Sequence, residues 1–384
     1  MLPSQRALFD MPPEVCYLDA ASAGPLPRAV RDAGILGARR KAQPWTLDPG
    51  LAEAQFARAR AAAAALIGAE PADIALIPSV SYGIATAAKL LPVPRGGRVL
   101  LLRDDHASPV LEWLSRAAAQ GFTVETVTPQ EEGNWTGAVL AAIDRPGAPT
   151  VALASISWVH WAEGTVLDLP SIAAALRRIG ASFVLDATQG VGVLPLDVRG
   201  LDPDIVLFPT YKWVLGPYGR AFLYVAPRHQ GGEPLEQAGH GRRSLVIERA
   251  PYLADLAYAE GARRFDMGER DHFIGMEMAS LGMEMVAGWG LAAIAERLRA
   301  LTTRLAEGLE GSGVRFLPAA HRAPHILSLA FPAGLPASLP GQLKAEGVHV
   351  AARLGRLRIS PHAYNDEADV DRFLDCFHMA MPRG

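Results

Sequence analysis

The chain has 384 residues, 50% of them apolar and 20% charged, with a net charge of −3. That length implies two domains, and the apolar fraction excludes a disordered chain. Near-balanced charge excludes a broad nucleic-acid surface, and two cysteines are too few for a disulfide framework or a four-thiolate zinc site.

The elements follow in chain order. EAQFARARAAAAALI at 53–67 reads as a helix, because Ala and Arg are strong helix formers. Apolar runs at 74–77, 99–102, 122–127, 151–156, 182–185, 205–208 and 221–225 read as strands. Between them, 82–91, 110–120 and 170–179 have helix length. Continuous apolar strands alternating with helices imply crossover units and a mostly parallel buried sheet. The polar Gly-rich stretch HQGGEPLEQAGHGRR after about 228 reads as a hinge or boundary. Beyond it come a long helical pattern at 273–309, short strands near 314–316, 325–330 and 356–359, and a helix at 367–380. The expected organisation is α/β. An N-terminal segment, 1–20, packs near the small domain; 21–250 forms the large domain; 251–384 forms a smaller α+β domain. No apolar run reaches the roughly 18 residues a membrane helix needs, and the start carries no secretory pattern, so a cytoplasmic protein is expected.

Open α/β sheets bind ligands beyond the carboxyl ends of their strands. Ser79–Gly83 opens a helix with small hydroxyl residues, which suits a phosphate or is an ordinary cap. Asp104-Asp105-His106 follows the second strand. Asp186 ends another, with Gln189 three residues on; alone, such a carboxylate is as often a turn former. Lys212 sits between Tyr211 and Trp213 after an apolar strand. A lysine desolvated among aromatics becomes a nucleophile; the bland reading is a snorkelling surface lysine. An anion site, a carboxylate and a lysine amine on one sheet edge together suit a phosphorylated pyridine aldehyde.

The stretch SFVLDATQGVGVLPLDVRGLDPDIVLFPTYKWVLGPYGRAFLYV resembles the core of the class V aminotransferase family of fold-type I pyridoxal-phosphate enzymes. That family includes cysteine desulfurases, kynureninase and isopenicillin-N epimerase-like proteins. YLDAASAGPLP, IPSVSYGIATAA, GARRFDMGER and RISPHAYNDEADVDRF resemble its other motifs, so the likeness covers most of the chain. The resemblance implies that Lys212 forms the Schiff base with pyridoxal 5'-phosphate and later moves the Cα proton. It implies that Asp186 pairs with the pyridine nitrogen, Gln189 lies near the ring hydroxyl, and His106 stacks on the ring. Val80, Ser81 and Tyr211 would contact the phosphate, and Arg358 the substrate α-carboxylate. Gly268 would approach the cofactor of a second subunit in a homodimer.

The chain departs from the family where an Asn commonly precedes the Gly-Thr at Gly164-Thr165: here the residues are His160-Trp161-Ala162-Glu163. The substrate pocket is therefore altered, or Trp161 is an aromatic wall. Neither Cys16 nor Cys376 matches the exposed loop thiol of a desulfurase. Gly288-Trp289-Gly290 follows a helix and not a strand, and Pro324 separates His321 from His325, so dinucleotide and zinc readings fail and no metal is expected. The expectation is an enzyme acting on an amino acid, broadly an aminotransferase. The alternatives are a β-lyase, an epimerase, or a cofactor-free anion-binding α/β module.

Overall fold

The computed structural model describes residues 2–129, 131–243, 251, 253, 255–270 and 273–381. After a two-residue strand, β1 (Cys16–Tyr17), seven strands build the main sheet. They are β2 (Ile74–Ile77), β3 (Arg98–Leu102), β4 (Thr123–Val127), β5 (Val151–Ser157), β6 (Ser182–Asp186), β7 (Ile205–Pro209) and β8 (Ala221–Val225). Their order is β2-β8-β7-β6-β5-β3-β4. β8 runs antiparallel to both neighbours, and every other pair is parallel. The sheet is the mostly parallel one expected, and each apolar run named above became a strand.

Helices cover both faces, so the inner strands have two buried sides. Leu100, Ile156, Leu185 and Phe208 feed one core, and their alternates Leu101, Leu153, Val184 and Leu207 feed the other. The edge strand β4 is polar, and its Glu125 pairs with Arg98 and with Arg145 at 2.6 Å, which blunts further strand pairing.

Three expectations change in the C-terminal part. The pattern at 273–309 is two helices, Gly275–Trp289 and Leu291–Gly308, bent by 75° at Gly290. Gly290 has φ of +82°, which no continuous helix accommodates. Residues 314–316 form no strand; a single bridge joins Arg315 to Ala330. The strand expected over 325–330 is only β9 (Leu327–Leu329). The next strand, β10 (Val348–His349), pairs with β1. β9 forms a small antiparallel sheet with β11 (Ala351–Arg353) and β12 (Arg356–Ile359).

The helix Arg28–Ala42 was not expected. With Leu51–Ile67 it packs against Gly275–Trp289, and Arg40 pairs with Glu277 across the contact. Gly37 allows that approach: a Cβ there would overlap the carbonyl of Phe273. The boundary placed at 250 falls among 244–250, outside the described residues. Near the N-terminus, Ser4 Oγ donates to the Tyr364 carbonyl at 3.0 Å and Arg6 pairs with Asp369 at 3.3 Å.

Candidate active site

The carboxyl ends of β2, β3, β6 and β7 open onto a cavity of about 280 Å3, whose lining includes Ser79, Ser81, His106, Ser108, Tyr211 and Lys212. Two helix N-termini point into it. Ser79 caps Val80–Leu90, its Oγ accepting from the Tyr82 N–H at 3.2 Å. His106 caps Ala107–Gln120, its Nδ1 accepting from the Ser108 N–H at 3.4 Å. Ser81 Oγ donates to Ser108 Oγ at 3.1 Å, tying the two termini together. Unpaired first-turn N–H groups and aligned peptide dipoles make this a place for an anion. Val80 and Ser81 both line it, where the sequence put them.

Lys212 follows β7 and is 6% exposed. Burial, then the Arg358 charge, lowers its pKa from the usual 10.5 to about 8, while Asp186 and Asp19 oppose the fall. Its Nζ lies 5.5 Å from the centre of the Tyr211 ring, and Tyr211 stacks on Tyr218 at 4.1 Å. Gly24 N–H donates to the Tyr211 carbonyl at 2.8 Å. A Cβ at Gly24 would overlap the Lys212 carbonyl, so this glycine lets the N-terminal segment lie flat on the lysine's backbone.

Asp186 ends β6, buried, its Oδ1 accepting from the Thr188 N–H at 2.9 Å. Burial pushes its carboxyl above the usual range, and the hydrogen bonds from Thr188 and the Lys212 charge pull it back. A second carboxylate stands beside it. Asp105 Oδ1 accepts from Ser157 Oγ at 2.7 Å, and its Oδ2 from the Ser157 N–H at 3.2 Å. Ser157 is the cross-strand partner of Asp186. Burial and the Asp186 charge push Asp105 up to about 6, against the pull of His160 and Ser157. Asp105 also accepts from the His106 N–H at 2.7 Å, which fixes the start of the helix. In the sequence Asp105 stands out only as the neighbour of His106, and its one signal is its place at a strand end.

His106 lines the cavity and meets Trp161 edge to face at 5.7 Å. Burial and the Lys212 charge lower its pKa, which favours the neutral ring. Trp161 is held by its Nε1–H, which donates to the Asp104 carbonyl at 2.8 Å. Its own carbonyl accepts from Arg358 Nη1 at 2.7 Å. Arg358 is 1% exposed and also reaches Asp19 Oδ1 at 3.1 Å and Ser22 Oγ at 2.6 Å.

Four expected residues, Asp186, Gln189, Arg358 and Gly268, do not line the cavity itself; Asp186 and Arg358 lie close enough to act on the Lys212 charge, and the other two are placed differently. The Gln189 side chain turns away from the cavity: Oε1 accepts from Trp213 Nε1 at 2.7 Å, and Nε2 donates to the Ala21 carbonyl at 3.1 Å. Those bonds occupy its carbonyl in holding Trp213, so contact with a ring hydroxyl does not follow from its placement. Gly268 is outside the cavity of its own chain, and its N–H donates to Glu236 Oε2 at 2.7 Å.

The donor set fits pyridoxal phosphate. Helix N-termini suit the phosphate, buried Asp186 suits a protonated ring nitrogen, and buried Lys212 supplies an amine of lowered basicity.

A sequence profile of the family Aminotransferase class-V matches residues 16–373. The chain is 29% identical to isopenicillin N epimerase of Amycolatopsis lactamdurans, over 96% of each chain. It is 28% identical to the uncharacterized aminotransferase YcbU of Bacillus subtilis (strain 168), over 81% of this chain and 80% of that one. In fold it is similar to the apo cysteine desulfurase of Thermococcus onnurineus NA1, with a TM-score of 0.85, 21% identity and 99% of each chain covered.

Proposed function

The chain belongs to the class V aminotransferase family of pyridoxal-phosphate enzymes, and from that premise we propose that it transfers the amino group of an α-amino acid, with Lys212 as its catalytic base. The observation that carries this reading is that Lys212 lines a cavity capped by two helix N-termini, with the buried carboxylate of Asp186 close enough to act on its charge.

Pyridoxal phosphate, when bound, supplies a ring that withdraws electrons from the substrate Cα. The protein's own residues do the rest. The N–H groups of the first turns after Ser79 and His106, with Ser81 and Tyr211, would hold the phosphate. Asp186 offers a buried negative charge for the ring nitrogen, and Asp105 stands behind it. His106 gives a flat neutral face backed by Trp161. Arg358 takes the substrate carboxylate in a charge-assisted pair. Lys212, half deprotonated near pH 8, is suited both to attack a carbonyl and to take and return a proton.

One base serves transamination and β-elimination alike, so β-elimination is the second reading. A persulfide relay is disfavoured. Cys16 is buried, its thiol pushed up by burial, and Cys376 lies in the C-terminal helix, so neither lines the cavity. A homodimer is part of the proposal. Tyr218 at the cavity rim is 68% exposed, and Leu111 and Leu114, three residues apart on Ala107–Gln120, are also exposed, apolar surface that a second copy would cover.

The test is amino transfer from a panel of amino acids to a 2-oxo acid, followed by chromatography. Stoichiometric appearance of a new amino acid supports the reading. Ammonia release without an acceptor would replace transamination with elimination.

A further inference from the structure

The hairpin β11–β12 carries Arg353, Arg356 and Arg358. Arg356 pairs with Glu132 at 3.4 Å and Arg358 with Asp19 at 3.1 Å. Arg353 pairs with no carboxylate among the described residues; its bonds go to the Ala352 carbonyl and to Ser22 Oγ at 2.9 Å. Ser22 Oγ also accepts from Arg358 at 2.6 Å. One neutral hydroxyl therefore serves two guanidiniums, while only one of the two has a counter-ion. Arg353 is half-buried and water can still reach it, but two guanidiniums sharing one neutral hydroxyl make a ready place for an anion.

The hairpin works against its own local preferences to hold Arg353 there. Arg353 and Arg356 face each other across the ladder, a like-charge pair. The turn between them places Leu354 at φ +48° and Gly355 at +73°; the left-handed conformation is strained for leucine. Strain and unpaired charge of this kind gather at binding sites. Ser22 ties Arg353 to Arg358, the residue assigned to the substrate α-carboxylate, and the hairpin register puts the two guanidiniums on one face.

We propose that the substrate is a dicarboxylic α-amino acid: Arg358 binds its α-carboxylate and Arg353 its side-chain carboxylate, the second anion replacing Ser22 as the partner of Arg353. This rests on the amino-acid reading of the site and narrows it. A neutral amino acid would leave Arg353 without a counter-ion, and an acidic one supplies it.

The experiment is titration of the cofactor-loaded protein with L-aspartate, L-glutamate and L-2-aminoadipate against L-asparagine, L-glutamine and L-norvaline. Binding is read by calorimetry and by cofactor absorbance. At least one acid should bind about 10-fold or more tightly than its neutral counterpart. Arg353→Gln should collapse that preference, and Arg353→Lys should restore part of it, with the thermal midpoint of each variant confirming its fold. Equal binding of acidic and neutral ligands by the wild type would overturn the inference alone. So would an equal loss for both classes in Arg353→Gln, because Arg353 would then serve only the α-carboxylate. Loaded protein that binds no amino acid of either class would overturn the functional reading itself.

Discussion

Trp213 donates its indole N–H to Gln189 Oε1 at 2.7 Å, and this bond anchors the residue next to Lys212. Gln189→Leu leaves that N–H buried without an acceptor. The expected cost is about 1–3 kcal/mol, read as a lowered midpoint in denaturant unfolding. Cofactor uptake should persist, because the Gln189 amide is already engaged by Trp213 and the Ala21 carbonyl. A loss of uptake with stability unchanged would place Gln189 on the cofactor after all.

Asp186→Asn keeps an oxygen for the Thr188 N–H but removes the buried negative charge. Thermal stability should therefore change little, while kcat falls about 10²-fold or more. Asp105→Asn should have a smaller effect on kcat, because Asp105 acts by holding Ser157 and His106 in place. Comparing kcat of the two variants at matched cofactor saturation checks this ranking.

Two buried histidines clamp Trp213: His325 edge on at 4.4 Å and His362 stacked at 5.6 Å. Burial lowers His325 to about 3 and His362 to about 4, so both are neutral in the folded protein. In the unfolded chain they would charge near 6.5. Their contribution to stability is thus present above pH 6.5 and is lost as pH falls towards 4 and 3. Histidine NMR should show two imidazoles still neutral at pH 5; if every imidazole titrates near 6.5, the clamp is wrong.

Neither cysteine should be needed for turnover. Cys376→Ala should keep activity within about 2-fold, and thiol alkylation of the native protein should not inhibit it. Cys16→Ala loses packing and the contact from Sγ to the Asp369 carbonyl at 3.3 Å, so it should cost stability without abolishing activity. Inactivation by alkylation at Cys376 would restore a sulfur-relay mechanism.

The main sheet was legible because strands such as Ile205–Pro209 are buried on both faces and so lack polar interruptions. The placement of Lys212, Asp186 and His106 just at or beyond strand ends was legible because each follows an apolar run. The helix Arg28–Ala42 was not legible. Gly34 and Gly37 lower its intrinsic propensity, yet both are needed for close contact with the region of Phe273 and Met278. The break at Gly290 hid inside an otherwise continuous helical pattern. The direction of the Gln189 side chain, and the meeting of Asp105 with Ser157 across the sheet, depend on tertiary placement and leave no local signal.

The most direct measurement is the absorbance spectrum of the protein incubated with pyridoxal phosphate, compared with Lys212→Ala across a pH series. The wild type should acquire the visible band of lysine-bound cofactor, and its initial rate of uptake should rise with pH through about 8, as the amine becomes the free base. Lys212→Ala should lack the band. A wild type that stays colourless, or a Lys212→Ala variant with the same band, would contradict the assignment of Lys212.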